Sequence, residues 1–149
     1  METVRRELES SESPQGFQLI SNLSGGTGSG IGASILDEIE SEFKKKDILN
    51  FCFLSQPNVH GNLSVTPFNT IYALGRATQA SSSSNVLINN ERLHDICVRQ
   101  KNIAAPSLAD LNSMAMPYLS GVTSSIRFPA VTSYGASESI DLPKLIASV

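Results

Sequence analysis

The run Ser24-Gly25-Gly26-Thr27-Gly28-Ser29-Gly30 constrains this chain more than any other stretch. Four of its seven residues are glycine and none is charged. An apolar segment precedes it (Phe17, Leu19, Ile20, Leu23), and Ile31, Ile35, Ile39 and Phe43 follow at helical four-residue steps. Strand, glycine loop and helix in that order point free backbone N–H groups at an anion. Glycine lets the backbone approach a ligand closely and adopt positive φ. The hydroxyls of Thr27 and Ser29 can donate to phosphate oxygens or cap the helix. The first expectation is therefore a loop that holds the phosphates of a nucleotide. The plain alternative is a tight strand-to-helix turn.

Two nucleotide motifs fit poorly. No Gly-Lys-Ser/Thr follows, so the run is not a Walker A loop. Gly28-x-Gly30-x-x-Ala33 meets the dinucleotide fingerprint in part. That fingerprint also needs an acidic residue about 20 residues on, at the end of the next strand. The segment Ile48 to Leu54, continuing Ser55-Gln56-Pro57, has no carboxylate. An NAD-binding Rossmann module therefore ranks behind.

The 149 residues suit one domain with a proper core. A net charge of −3 gives no reason to expect nucleic acid or an anionic membrane as partner. No apolar stretch approaches the ~20 residues that span a bilayer. The opening Val4-Arg5-Arg6-Glu7-Leu8-Glu9 is charged and helical in pattern, unlike a signal peptide. Cys52 and Cys97 lie in apolar runs and read as buried thiols in a reducing cytosol. Leu145 to Val149 stops inside an apolar helical pattern, and the first helix needs a sheet to pack on. Residues 1–149 are thus expected to be a partial domain, truncated at both ends.

Along the chain, residues 2–12 predict a charged helix ended by Pro14. Gly16 to Leu23 reads as a buried parallel strand. A helix from the glycine loop to about Phe43 follows, with Lys44-Lys45-Lys46 as its solvated end. The strand 48–54 leads to a long loop, Ser55 to Val65, that carries His60. Pro67 opens a helix with Ile71, Leu74 and Thr78 on its packed face. Gln79 to Ser84 reads as a flexible polar connector, and Val86-Leu87-Ile88 as a short buried strand. Asn89-Asn90 caps a helix Glu91–Gln100. Ser107-x-x-Asp110 is a capping box for a last long helix with an apolar face from Leu108 to Val122, kinked at Pro117. Ala130 to Asp141 reads as a polar loop before a helix restarts at Leu142. Strands alternating with helices give an α/β fold, a parallel sheet covered on both faces.

Chemistry outside the loop is sparse. His60 and His94 lie in different elements without metal-ligand spacing. Asn90 and Asn112 each stand near a helix start, and in a doubly wound sheet such positions rim the crevice at the strands' carboxyl ends. An amide there offers a donor and an acceptor to a base edge. From spacing alone, Asn90 reads as a plain N-cap.

In context these segments resemble the tubulin family. Gln15-Gly16-Phe17-Gln18 followed by Gly25-Gly26-Thr27-Gly28-Ser29-Gly30 looks like its signature loop. Asn90-Glu91-x-Leu93-x-Asp95-Ile96-Cys97-x-Arg99 is similar to its base-binding segment. Pro106-Ser107-x-x-Asp110-Leu111-Asn112 looks like the start of its central helix. Ser120-Gly121-Val122-Thr123-Ser124-Ser125-x-Arg127-Phe128-Pro129 resembles the beta type, and Val65-Thr66-Pro67-Phe68-Asn69 is like the family's Val-Glu-Pro-Tyr-Asn. The resemblance covers nearly the whole chain.

It implies a partial Rossmann-like parallel sheet of the tubulin GTPase domain, with GTP as ligand and Mg2+ as companion. Partners would be other tubulin subunits, in an alpha-tubulin heterodimer and the microtubule, and the location the cytoplasm and its cytoskeleton. Asn22, Gly25, Gly26, Thr27 and Gly28 would hold phosphates, and Asn90 and Asn112 would bind guanine. Lys144 falls where alpha-type chains carry a catalytic Glu, so no catalytic residue is assigned. A Lys there is beta-like and cannot serve as a general base at neutral pH.

Departures from the family pattern include Ser24 for its first glycine, Thr66 for a ribose-contacting Glu, and Leu108 for a Tyr that stacks on guanine. The last removes an aromatic contact worth about 1 kcal/mol. Pro117 and Pro143 fall in segments that are helical in the family. The family's first phosphate loop, its Mg-associated acidic loop and its first three strands have no counterpart here. The expectation is a GTP-binding structural constituent of microtubules whose isolated chain binds GTP weakly. The rival is a truncated chain or decoy without nucleotide turnover.

Overall fold

The computed structural model describes residues 1–55, 64–128, 130–131, 137–138 and 141–148. The expected loop 55–65, with His60, lies largely outside the described residues.

The fold is built on β2 (Asp47–Leu54), an eight-residue strand with five residues buried and none exposed. Side chains alternate across a strand. Ile48, Asn50 and Cys52 therefore face one side, and Leu49, Phe51 and Phe53 the other. Fully burying residues such as Ile48, Leu49 and Phe51 contributes about 1.5–3 kcal/mol each. β1 (Gly16–Asn22) and β3 (Ser83–Asn89) flank it in parallel, in the order β1-β2-β3. Register is continuous: Asn22 pairs with Phe53, Phe53 with Ile88, and Leu54 with Asn89.

Helices α2 (Gly26–Glu42) and α3 (Thr66–Gln79) cover the face bearing Ile48, around Leu36, Ile39, Ala73 and Ala77. The opposite face carries α4 (Asn90–Lys101), α5 (Leu108–Val122), the single turn α6 (Ser124–Arg127) and α7 (Leu142–Ser148), packed around Phe51, Ile88, Leu119 and Leu145. The expected α/β sheet with helices on both faces is the observed fold. α1 (Glu2–Ser10) buries none of its residues, and Arg5 reaches Glu42 at the end of α2.

Several local expectations are corrected. β1 is not a buried strand: Ile20 is 56% exposed. Helices stacked over the central strand leave opposite corners of the sheet open, at Ile20 on β1 and at Leu87 on β3, which is 51% exposed. α3 packs through Ala73, Leu74 and Ala77, whereas Ile71 and Thr78 are exposed. Small side chains there allow α3 to lie close to α2 and the sheet. The Ser81–Ser84 run is not a flexible connector. Ser83 and Ser84 pair with Ile48 and Leu49 in the ladder. The Glu40 carboxylate on α2 accepts from Ser81 N at 2.6 Å, Ser81 Oγ at 2.9 Å and Ser82 N at 3.3 Å.

Neither proline interrupts a helix. α5 runs unbroken through Pro117, which sits on its exposed side. Pro143 lies in the first turn of α7, where a backbone N–H has no helical partner to lose. The expected 130–141 loop contains a short antiparallel ladder, β4 (Ala130–Val131) with β5 (Ser137–Glu138). Lys46 donates to the Pro14 carbonyl and so is not a purely solvated end of its run. No described helix is long and apolar enough to cross a membrane.

Candidate functional site at the carboxyl edge of the sheet

The chain leaves β1 at Asn22 and enters α2 at Gly26. The turn between them is held by short polar side chains. Ser24 N donates to Asn22 Oδ1 at 3.0 Å, an Asx-type turn. The Ser55 hydroxyl lies 2.7 Å from Asn22 Nδ2 and 3.1 Å from Asn22 Oδ1. Ser24 is 7% exposed. Its hydroxyl accepts from Ser55 N at 3.0 Å and donates to Thr70 Oγ1 at 3.3 Å, since Thr70 gives its own proton to the Thr66 carbonyl at 2.9 Å. Its carbonyl accepts from Asn69 Nδ2 at 3.5 Å. The residue that departs from the family's glycine thus fastens the turn to β2 and to α3. Sequence reasoning missed Ser55, Asn69 and Thr70; their only signal is that each short polar residue stands near an element's end.

α2 begins inside the glycine run, not after it. Its first backbone bond is Ser29 N to Gly25 O at 2.9 Å. The N–H groups of Gly26, Thr27 and Gly28 therefore have no acceptor within the helix. Gly25 is the N-cap and supplies no side-chain oxygen. These amides and the positive end of the helix dipole favour an anion. Ser29 is buried and its hydroxyl turns back to Gly26 O at 3.3 Å, so it is not placed as a phosphate donor. Thr27 is exposed.

The glycines differ in what they do. None has the positive φ expected from the sequence; Gly25 itself is extended, at φ −85°. A Cβ on Gly28 would stand 1.9 Å from the Asn22 carbonyl oxygen, so this glycine lets α2 cross the end of β1. A Cβ on Gly25 or Gly26 would meet nothing within 4 Å. Among the described residues no contact demands glycine at either position.

Asn90 follows directly on β3 as the first residue of α4. The capping role belongs to Asn89, whose Oδ1 accepts from Glu91 N at 2.8 Å. The half-buried Asn90 side chain makes no hydrogen bond among the described residues. Asn22 and Asn89 lie in neighbouring rows, with β2 between their strands. The glycine turn and Asn90 thus share one sheet edge, roughly 10 Å apart at two strand spacings. Asn112 is exposed in the second turn of α5. That helix opens with the predicted capping box, in which the Ser107 hydroxyl and amide hold the Asp110 carboxyl below its ordinary range. Among the described residues no group of three or more His, Cys, Asp or Glu lies together to hold a metal ion. Lys144 is exposed in the first turn of α7.

The chain is similar to known proteins over most of its length. Residues 1–98 match the family described as "Tubulin/FtsZ family, GTPase domain". The "Tubulin beta-1 chain" of Hypocrea rufa is 37% identical over 129 residues, which is 87% of this chain and 28% of that protein. The "Tubulin beta-6 chain" of Gallus gallus is 38% identical over the same shares. The "Tubulin beta chain" of Saccharomyces cerevisiae is 37% identical, again over 87% and 28%. The chain therefore spans under a third of the length of these curated relatives. It belongs to the tubulin/FtsZ family, with residues 1–98 matching that family's GTPase domain.

Proposed function

We propose that this chain is a divergent, beta-tubulin-like nucleotide-domain segment that binds GTP and serves the microtubule cytoskeleton of the cytoplasm through tubulin subunits of the alpha type. In this reading the amides of Gly26, Thr27 and Gly28 meet the phosphates, with Gly25 and Asn22 shaping the turn. Asn90 and Asn112 take the guanine edge. The observation that supports it is the mouth of α2, where three amides lack an intrahelical acceptor and no described residue lies within 4 Å of a Cβ placed on Gly25 or Gly26. The turn 24–30 holds its anion with neutral donors alone, without a lysine. GTP affinity of the chain by itself is accordingly weaker than micromolar. No residue of this chain, Lys144 included, is assigned as a base on a neighbour's nucleotide. Family membership of the GTPase domain supports this assignment, as do the beta-tubulin names of the relatives.

The test is photo-cross-linking of the whole chain with an azido-GTP. Labelling should be competed by GTP and not by NAD. Gly26→Val should abolish it while leaving the circular dichroism spectrum intact, since the added side chain enters open space. Equal labelling of the variant, or equal competition by NAD, would defeat the proposal, as would micromolar GTP binding by calorimetry for the weak-affinity part.

A further inference from the structure

Asn50 stands at the centre of β2, 2% exposed, on the face covered by α2 and α3. Asn50 Nδ2 donates to Asn85 Oδ1 at 2.9 Å, and Asn85 Nδ2 donates to the Ala77 carbonyl at 2.9 Å. A carbonyl can only accept, so Asn85 must give it the nitrogen and offer its oxygen to Asn50. That orients Asn50 with its nitrogen toward Asn85 on β3 and leaves its oxygen out of this pair. Asn50 Oδ1 is fully buried and has no protein partner. A buried acceptor left unpaired is costly.

Beside it lies a small cavity of about 10 Å³, in which Ser21 and Asn50 are the polar side chains in a lining otherwise of leucine, alanine and glycine. That is close to the space of a single water, roughly 10–15 Å³ on this measure, and too small for any larger ligand. Ser21 lies on the same face, one alternate position beyond Leu19, the β1 partner of Asn50. Its hydroxyl has no hydrogen-bond partner among the described residues. We propose that this cavity is a binding site for one internal water, which donates to Asn50 Oδ1 and bonds the Ser21 hydroxyl beneath the first turns of α2. An apolar void of this size stays dry, whereas a void with two polar walls is filled.

The glycines of α2 supply a matched pair of variants. A Cβ at Gly32 would stand 3.5 Å from Ser21 Cβ and 3.9 Å from Ser21 Oγ, in ordinary contact and inside the cavity. A Cβ at Gly30 would meet nothing within 4 Å. Both changes give α2 the same improvement in helix propensity. Water relaxation dispersion, which counts long-lived internal waters, should lose one count in Gly32→Ala and none in Gly30→Ala. Gly32→Ala should also melt below Gly30→Ala, because Asn50 Oδ1 is then stranded. Unchanged water counts in both variants, or an equal rise in melting temperature, would overturn the assignment.

Discussion

A glycine is one letter in a sequence but has several physical causes, and the run 24–30 contains more than one. Gly28 is a packing glycine: a methyl there collides with the backbone of Asn22, at 1.9 Å from O, 2.8 Å from C and 2.9 Å from N. Neither side of that contact is a flexible side chain. Gly28→Ala should therefore destabilise the chain by about 3 kcal/mol, the upper end for forced overpacking. Gly26→Ala should lie within about 0.5 kcal/mol of wild type, as unhindered surface changes do. Urea denaturation of the two variants side by side checks both values. The sequence showed that something must come close to this turn. It did not show that at Gly28 the close neighbour is the chain's own strand, because that contact exists only once α2 is laid across β1. Ser24 was legible only as a departure from a pattern; its bonds to Ser55 and Thr70 reach across 31 and 46 residues of chain. Cys52 was read correctly as a buried thiol, and burial pushes its pKa up to about 11.

At the level of elements, the order of strands and helices was readable from hydrophobic period, and their faces less so. The α3 stripe was placed on Ile71, Leu74 and Thr78, while the buried positions are Ala73 and Ala77. Hydrophobicity favoured the larger residue, but close packing against α2 selected the smaller ones. β3 was read as three residues and is seven, because its serines gain strand structure by pairing with β2 rather than by propensity. The turn before it is held by Glu40. Burial raises that carboxyl, but the bonds from the Ser81 hydroxyl and the Ser81 and Ser82 amides outweigh burial and leave its pKa lowered. A lowered folded pKa gives stability that is present above the unfolded value and lost as pH falls through the folded one. Glu40→Gln should thus be less stable than wild type at pH 7. The gap should close as the pH drops below the ordinary carboxylate range, as followed by thermal melts across an acid series.

For the molecule as a whole, the alternation of elements implied a parallel sheet with two covered faces, and the three-stranded sheet with helices on both sides matches. The site was legible as far as chemistry is carried by residue type: the glycine run and Asn90 do meet one sheet edge. The polar turn that fixes the run was not legible, since it joins β1, β2 and α3 through residues far apart in the chain. The central strand has a thermodynamic consequence. β2 lends alternate side chains to both cores, so neither helical layer can detach without exposing the strand on which the other rests. Scanning calorimetry should record one cooperative endotherm whose van't Hoff and calorimetric enthalpies agree. Two resolved peaks would mean that the layers melt independently.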